Sequence, residues 1–281
     1  MRWINKVMLV ACLVSSSVMA QLPTTIDTKL QKGLERAVLN FKLEPAVAAG
    51  QLAIALVDLS DPSKPHLAML NGNQMMYAAS LPKIAILLGA LVEVERGQLP
   101  LDATLVDTLT QMIRHSSNEA ATRALGKIGR QRLLDILQSP RFQFYDELNY
   151  GGIWVGKTYG RGSAFMRDPL AHLSHGATVY QVARFYTMLS NGTLLSPKLN
   201  ALMKEILSKS SIHHKFVKGL ESKPNVQIYR KSGTWKDFHA DSALVEDGRH
   251  RYVMVGIAHH KDGGKWLVEI AEPLHNLITG Q

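Results

Sequence analysis

Residues 75–94 read MMYAASLPKIAILLGALVEV, and they constrain the fold more than any other stretch of the chain. Every residue from 84 to 92 is apolar or glycine, so a helix made from this run has no polar face and must lie inside a domain. The run is too short to span a bilayer. Pro82 is tolerated in a first helical turn, and Ser80 is predicted to cap the helix. The sequence therefore predicts a buried central helix with one lysine, Lys83, at its start.

Lys83 follows Ser80 by three residues, which places both side chains on the same face of the predicted helix. Burial and the positive end of the helix dipole both disfavour a charged lysine there. In one interpretation Ser80 only caps the helix, and Lys83 reaches solvent along its own methylene groups. In the other, Ser80 is a nucleophile and Lys83 accepts its proton. The pair alone does not decide between these interpretations.

Residues 1–20 have the pattern of a secretory signal peptide, with two basic residues, an apolar core and a cleavage site that ends at Ala20. We therefore expect a periplasmic or secreted protein. A lipoprotein anchored at Cys12 is the alternative, because residues 9–12 resemble a lipobox. Cys12 is the only cysteine, so cleavage after Ala20 leaves a chain without disulfides, catalytic thiolates or cysteine metal sites.

Residues 21–281 are expected to form one large domain, with or without a sub-domain, because 46% of the chain is hydrophobic. The formal net charge is +9, which suits attraction to an anionic polymer of the cell envelope. The basic residues are scattered and lack interleaved aromatic residues, so no nucleic-acid partner is expected. The densest basic run, residues 208–223, is predicted to be a solvated helix face.

The first half of the chain alternates between helical and strand patterns. Helical spacing over residues 26–41 is followed by strand patterns at residues 51–59 and 66–70, with a turn between them. Residues 102–139 are predicted to be helical, with breaks at RHSSNEA and at two glycines, of which Gly126 is the first. The centre of the chain is therefore expected to be mostly α-helical.

The second half begins with an irregular segment, residues 141–176, whose six glycines predict a long ordered loop over a functional site. Thr178 is predicted to cap a helix, and Pro197 to open the next one. VQIYRKSGTW, HADSALVED and RYVMVGIAHH then predict three strands, and a final helix is expected from about residue 266.

Strands at both ends of the chain, with helices between them, predict an α/β (α+β) sandwich. Its sheet is expected to be antiparallel, to contain about five strands contributed by both termini, and to be flanked by helices. A central all-α sub-domain is expected as an insertion at about residues 75–222.

Two further motifs follow the Ser80 pair along the chain. RHSSNEAAT places Ser116 and Asn118 at a helix start, where both residue types also serve as ordinary caps. YRKSGTW places Lys231 and Ser232 in a predicted strand, followed by a glycine at a point of close backbone approach. Each motif alone is weak evidence, but their order and their structural contexts are mutually consistent.

S-x-x-K, S-x-N and K-S-G in this order resemble the penicillin-recognising serine enzymes, which are the class A β-lactamases and the penicillin-binding D,D-peptidases. The resemblance covers nearly all of residues 21–281 and implies a β-lactamase/transpeptidase-like fold without a cofactor. The resemblance implies that Ser80 is the acylated nucleophile, that Lys83 accepts its proton and that Ser116 relays a proton to the leaving nitrogen. It implies that Asn118 forms a hydrogen bond with the substrate, and that Lys231 and Ser232, next to Gly233, anchor a substrate carboxylate. The backbone N–H groups of Ser80 and Thr234 would form the oxyanion hole.

The sequence also departs from the family pattern. Class A enzymes carry a general-base glutamate at the head of E-x-x-L-N, whereas YDELN places Tyr145 there and Glu147 two positions later, before Asn149. A tyrosine is a poor base near pH 7, so slow deacylation is expected. Serine replaces the central aspartate of S-D-N, and Ser232 replaces a threonine.

Other chemistries have weaker support. Adjacent histidines at positions 213–214 and 259–260 do not form an H-E-x-x-H pattern, so no metal site is expected. GRGSAF lacks the last glycine of a nucleophile elbow, which argues against an α/β-hydrolase. His239 and Trp235 lie close to K-S-G and are possible site residues. A structural role is equally open for His239, and packing at an edge strand is favoured for Trp235.

Three functions remain open at this stage. The protein is a slow β-lactamase-like hydrolase, a D,D-peptidase or other cell-wall peptide amidase, or a non-enzymatic sensor that stays acylated. The expected partner is a small β-lactam or a cell-wall peptide. A monomer with no stable membrane span is expected.

Overall fold

A computed structural model describes residues 22–281. The predicted signal peptide and the alternative lipid site at Cys12 lie outside the described residues. The helices are α1 Thr28–Asn40, α2 Glu44–Ala48, α3 Lys83–Glu95, α4 Ala103–Arg114, α5 Asn118–Ile128, α6 Arg130–Gln138, α7 Val179–Ser190, α8 Pro197–Leu207, α9 Phe216–Gly219, α10 Gly263–Glu269 and α11 Ala271–Thr279, with a 3-10 turn at Glu147–Asn149. The strands are β1 Leu52–Asp58, β2 His66–Leu70, β3 Met76–Tyr77, β4 Tyr145–Asp146, β5 Gly151–Gly152, β6 Trp154–Val155, β7 His175–Ala177, β8 Gln227–Trp235, β9 Phe238–Glu246 and β10 Arg251–His259.

The main sheet has five strands in the order β2-β1-β10-β9-β8, and every neighbouring pair is antiparallel. Two strands come from the N-terminal part of the chain and three from the C-terminal part. The predicted antiparallel sheet built from both termini is therefore confirmed.

Both faces of this sheet are buried. Val253 and Val255 of β10 belong to the core on one face, where α3 to α8 pack. Tyr252 and Met254 belong to the core on the other face, together with α1, α10 and α11. Successive side chains of a strand point to opposite faces, which explains why β10 is apolar along nearly its whole length.

Helix α3 is the buried central helix that the sequence predicts, and it packs against α5 and α6. The predicted cap is wrong. The helix begins at Lys83, Pro82 occupies the cap position, and no side chain caps the first turn. Ser80 lies in the preceding turn, where its carbonyl accepts a hydrogen bond from the Lys83 N–H at 3.2 Å. The Ser80 hydroxyl therefore has no capping role.

Two helix starts in the insertion between β2 and β8 agree with the sequence-based prediction. Thr178 caps α7 through the Gln181 N–H, and Pro197 opens α8, as predicted. Gly126 lies inside α5, so the helix break expected there is wrong. The insertion is not purely helical, because residues 141–177 contribute short strands to two small sheets, β3-β7-β6 and β4-β5.

The basic run 208–223 differs from the prediction of a solvated helix face. Only Phe216–Gly219 is helical, and the Lys215 side chain is buried. The C-terminal helix is also interrupted at Ile270, which separates α10 from α11. Within residues 22–281, no helix combines the length and the apolar character needed to cross a bilayer.

Candidate active site

A cleft of about 620 Å³ opens where the insertion meets the end of β8. It is lined by Tyr77, Ala79, Ser80, Asn118, Lys157, Thr158, Tyr159, Gly160, Arg161, Leu173, Ser174, His175, Thr234, Trp235 and Phe238. None of these residues is acidic, whereas Lys157 and Arg161 are basic. The cleft therefore suits a substrate that carries negative charge.

Ser80 is held in a tight turn that passes directly beside β8. The turn begins with Ala79 at φ 50°, a strained value for a residue other than glycine, and the Leu81 N–H donates to the Ala78 carbonyl at 3.0 Å. A Cβ at Gly233 would lie 2.7 Å from the Ser80 nitrogen, so only glycine allows this approach. Because of this close approach, Ser80 and Thr234 line the same cleft.

Lys83 is fully buried, and its Nζ atom is surrounded by oxygen acceptors. It donates to the Ser116 carbonyl at 2.6 Å and to Asn118 Oδ1 at 2.8 Å, and it lies 3.4 Å from Ser116 Oγ. None of these partners is a carboxylate. Burial therefore lowers the pKa of Lys83 to about 7, so that a large fraction is neutral near that pH.

Ser116 lies between two lysines. Lys231 Nζ donates to Ser116 Oγ at 2.9 Å and to the Ser232 carbonyl at 2.6 Å. Burial, reinforced by the nearby charge of Lys83, holds the pKa of Lys231 well below its ordinary value. Ser116 adopts φ 55°, and the next residue, Ser117, caps α5 through the Ala120 N–H. The cap of α5 is thus Ser117, which leaves the Ser116 hydroxyl for the lysines.

The other residues of the K-S-G strand differ in their surroundings. Thr234 and the exposed Trp235 line the cleft, and Ser232 is nearly buried. His239 is paired with Thr234 across β8 and β9, but it is not among the cleft residues. Its ring lies close to Gly264 at the start of α10, and burial lowers its pKa.

Tyr145, Glu147 and Asn149 do not line this cleft. The Tyr145 ring packs on Trp154 with a centroid distance of 4.5 Å, and its hydroxyl makes a long hydrogen bond of 3.4 Å to Asp168. Burial and the Asp168 charge raise the pKa of Tyr145 above its ordinary value. Glu147 and Asn149 are exposed, in the turn that joins β4 to β5.

Sequence reasoning missed two side chains of the glycine-rich segment 141–176: Tyr159, which faces Lys83, and His175, which packs behind Tyr159. The Tyr159 ring centroid lies 4.5 Å from Lys83 Nζ, and the Tyr159 hydroxyl donates to the Ala79 carbonyl at 3.3 Å. The His175 ring lies 4.2 Å behind Tyr159, and burial lowers the pKa of His175 to about 4. The only sequence signal for them was the number of glycines in this loop.

Lys215 was also missed. Its Nζ atom donates to the Gly233 carbonyl at 2.5 Å, to Thr234 Oγ1 at 2.8 Å and to the Ala240 carbonyl at 3.1 Å. Burial lowers the pKa of Lys215 to about 8. Lys215 therefore fastens the end of β8, which carries the Thr234 N–H.

A buried ion pair lies behind the same strand. Arg230 of β8 and Asp241 of β9 approach to 2.8 Å, and their exposed fractions are 1% and 0%. Asp241 also accepts from the Phe216 N–H at 3.1 Å, which ties the Lys215 segment to the sheet. Throughout residues 22–281, no three potential metal ligands converge.

The sequence profile of the Beta-lactamase enzyme family matches residues 100–277, which is more than half of the chain. The chain belongs to the beta-lactamase enzyme family. This membership makes it a relative of serine hydrolases. The cleft, with the side chains that are hydrogen-bonded behind it, is therefore its candidate active site. No curated protein sequence matches the chain.

Solved structures of beta-lactamases and penicillin-binding proteins have the same fold as this family member. A beta-lactamase from Sphaerobacter thermophilus superposes with a TM-score of 0.67 at 15% identity, and the alignment covers 89% of this chain and 98% of that one. PBP-A superposes with a TM-score of 0.69 at 16% identity, covering 93% and 100%. A PBP-A mutant in an acyl-enzyme complex with penicillin G superposes with a TM-score of 0.67 at 17% identity, covering 92% and 99%.

Proposed function

We propose that this member of the beta-lactamase enzyme family is a serine hydrolase that forms an acyl-enzyme at Ser80 with a β-lactam or a related amide. One observation carries the proposal. A buried lysine with no carboxylate partner, Lys83, lies three residues after a serine that lines the cleft, and its pKa is lowered to about 7. A neutral lysine in this position is a competent general base.

The proposed acylation step begins at Ser80. Ser80 Oγ transfers its proton to Lys83 and attacks the substrate carbonyl carbon, whose oxygen becomes negatively charged. The backbone N–H groups of Ser80 and Thr234 stabilise this oxyanion by about 3 kcal/mol each. Ser116, which is hydrogen-bonded to Lys231, passes a proton to the departing nitrogen, and Lys83 returns the proton to Ser116.

The electrostatics of the cleft support an anionic acyl donor. In the proposed role, Lys231 and Ser232 of the K-S-G strand anchor a substrate carboxylate, and Lys157 and Arg161 add positive charge to the cleft. β-Lactams and cell-wall peptides both carry a carboxylate next to the reactive amide. A cell-wall peptide amidase is therefore the second candidate, supported by the same charges and by the shared fold of PBP-A.

We also propose that deacylation is slow. The sequence-based expectation of slow deacylation rested on Tyr145, but Tyr145 lies outside the cleft. The residues of the cleft provide a different basis for it. No aspartate or glutamate lines the cleft, and the loop side chain that faces Lys83 is the aromatic ring of Tyr159. A water molecule near the Ser80 ester thus lacks a carboxylate base.

The proposed place of action is the periplasm or the exterior of the cell. Its support is the signal-like pattern of residues 1–20, which lie outside the described residues. The mass of the protein recovered from the periplasm tests this proposal. Cleavage after Ala20 is the expected result, and a lipidated Cys12 or an uncleaved cytoplasmic chain contradicts it.

Intact-protein mass spectrometry with benzylpenicillin, followed over time, tests the proposed function. The wild-type protein should gain one penicillin mass and lose it slowly, whereas Ser80→Ala should gain none while keeping its melting temperature within a few degrees. Ser80 is not a helix cap, so its replacement should not unfold the protein. Labelling of Ser80→Ala to the wild-type extent, or a wild-type protein that is never acylated, contradicts the proposal.

A time course separates the remaining alternatives. Rapid linear turnover of a reporter cephalosporin identifies a competent β-lactamase and contradicts slow deacylation. Release of terminal D-alanine from a muropeptide identifies the peptidase. An adduct that persists without any turnover identifies a sensor.

A further inference from the structure

Tyr159 lies at the back of the cleft, on the glycine-rich loop, with only 8% of its surface exposed. Thr122 Oγ1, one turn into α5, donates to the Tyr159 carbonyl at 3.1 Å and fastens the loop to the helix that begins with Asn118. Tyr159 is therefore held in place by its backbone, independently of what its side chain contacts.

The Tyr159 hydroxyl contacts the peptide that links Ala79 to Ser80. It donates to the Ala79 carbonyl at 3.3 Å. Because the peptide group is planar, fixing that carbonyl oxygen also fixes the direction of the Ser80 N–H. The contact matters here because Ala79 is strained, at φ 50°, and such a conformation persists only when its surroundings hold it. Burial also raises the pKa of Tyr159 well above its ordinary value, so its hydroxyl stays a donor.

The Tyr159 ring contacts the proposed base. Its centroid lies 4.5 Å from Lys83 Nζ, while the Ser116 carbonyl and Asn118 Oδ1 accept hydrogen bonds from the same atom. An aromatic face attracts an ammonium group, and its bulk leaves the lysine little freedom to turn away from its acceptors. His175 supports the ring from behind at 4.2 Å and is itself fastened to the Lys157 carbonyl at 3.0 Å.

We propose that Tyr159 is a positioning residue for the acylation of Ser80, because one side chain holds both the oxyanion-hole peptide and the base. The hydroxyl orients the Ala79–Ser80 peptide, and the ring keeps Lys83 against its acceptors. The inference rests on the proposed function, and it adds a residue that the S-x-x-K, S-x-N and K-S-G motifs do not contain.

Two substitutions separate the hydroxyl from the ring. Tyr159→Phe keeps the ring but releases the Ala79 carbonyl, so the second-order rate constant for acylation by benzylpenicillin should fall about tenfold, with the midpoint of its pH profile unchanged. Tyr159→Leu keeps an apolar side chain at this position but also removes the aromatic face. Because that face stabilises the charged form of Lys83, its loss should lower the pKa of Lys83. The acid limb of the profile should therefore move to lower pH.

The charged and titratable groups around Lys83 are unchanged by these substitutions. Lys231 faces it across Ser116, and His175 lies behind the ring. A shift of the midpoint in Tyr159→Leu, but not in Tyr159→Phe, is therefore assigned to the ring. A merely structural role would lower the melting temperature of both variants without moving the midpoint.

Tyr145→Phe is the matched control, because it also removes a hydrogen bond donated by a buried tyrosine hydroxyl, here to Asp168 and outside the cleft. Its acylation rate should equal that of the wild type. A wild-type protein that is not acylated contradicts the proposed function itself. A wild-type protein that acylates at Ser80, with Tyr159→Phe acylating at the same rate, overturns the present inference. The Tyr159→Phe comparison stands even if Tyr159→Leu fails to fold.

Discussion

At the scale of single residues, the site is defined by lysines that are buried without carboxylate partners. Lys83 and Lys231 share the Ser116 hydroxyl, and neither contacts an acid among the described residues. Loss of hydration disfavours the charged form of a buried lysine, and a second cation nearby adds to the effect. Both influences act on Lys231, whereas burial alone favours the neutral form of Lys83, the proposed base for nucleophilic attack by Ser80.

Replacement of Lys83 by arginine should abolish acylation. Arginine stays protonated at neutral pH and cannot accept the Ser80 proton. In the wild type, the acylation rate should rise with pH through about 7, because Lys83 is active only after it loses its proton. Stopped-flow measurement of acylation between pH 5.5 and 8.5 tests both expectations. A Lys83→Arg protein that acylates at the wild-type rate would show that the base is another group.

At the scale of elements, the site is a junction between the turn before α3, the start of α5 and the end of β8. β8 is held in position from behind by the Lys215 contacts and by the Arg230–Asp241 ion pair, which links it to β9. A buried ion pair is weak evidence of stability, but it specifies how the two strands and the preceding segment pack. The junction therefore depends on the close approach of the β8 backbone to the Ser80 turn as much as on side-chain contacts.

Gly233→Ala should strongly lower the rate of acylation while most of the fold survives. Its Cβ would lie 2.3 Å from the Ala78 carbonyl oxygen and 2.7 Å from the Ser80 nitrogen, so β8 must move away from the nucleophile turn. Loss of one oxyanion donor predicts a fall in the acylation rate of at least about a hundredfold.

Gly126→Ala is the matched control for this substitution. Gly126 lies inside α5, and a Cβ there meets no atom within 4 Å. Alanine should therefore stabilise the helix by up to about 1 kcal/mol and leave acylation unchanged. Acylation of Gly233→Ala at the wild-type rate would mean that the approach of β8 to Ser80 does not matter.

At the scale of the whole molecule, the sheet has one core on each face, and lysines are buried beside both cores. The pKa values of Lys83 and Lys215 are lowered to about 7 and about 8 by burial, whereas an unfolded chain has ordinary lysines. Between these values and about pH 10, the unfolded chain therefore binds more protons than the folded one. The free energy of unfolding then increases with pH.

The melting temperature is accordingly expected to rise between pH 7.5 and 9.5. Each lysine that is neutral only in the folded state contributes at most about 1.4 kcal/mol per pH unit. Differential scanning calorimetry should show a smaller slope for Lys83→Met than for the wild type. Lys265→Met is the control, since that side chain is 73% exposed and should leave the slope unchanged. A melting temperature that falls throughout this range would contradict the expected charge states of the buried lysines.

Local patterns were sufficient to predict much of this architecture. The apolar alternation of β8, β9 and β10, the cap at Thr178 and the proline that opens α8 act over a few residues, so they can be read directly along the chain. The motifs can also be read along the chain, and their residues Lys83, Ser116, Asn118 and Lys231 are bonded to one another in the structure. That they meet was implied by the family resemblance and not by their spacing along the chain.

The sequence by itself determined the sandwich, the buried helix behind Ser80 and the membership of a motif family. Only the tertiary structure decided which loop side chain faces Lys83. A likeness to E-x-x-L-N pointed to Tyr145, but the β4-β5 hairpin buries that ring against Trp154, while Tyr159 reaches the lysine instead. Lys215 was hidden for the same reason, because its acceptors come from β8 and β9 rather than from its own segment. Contacts between segments far apart in the chain depend on how loops pack, and no local periodicity encodes that packing.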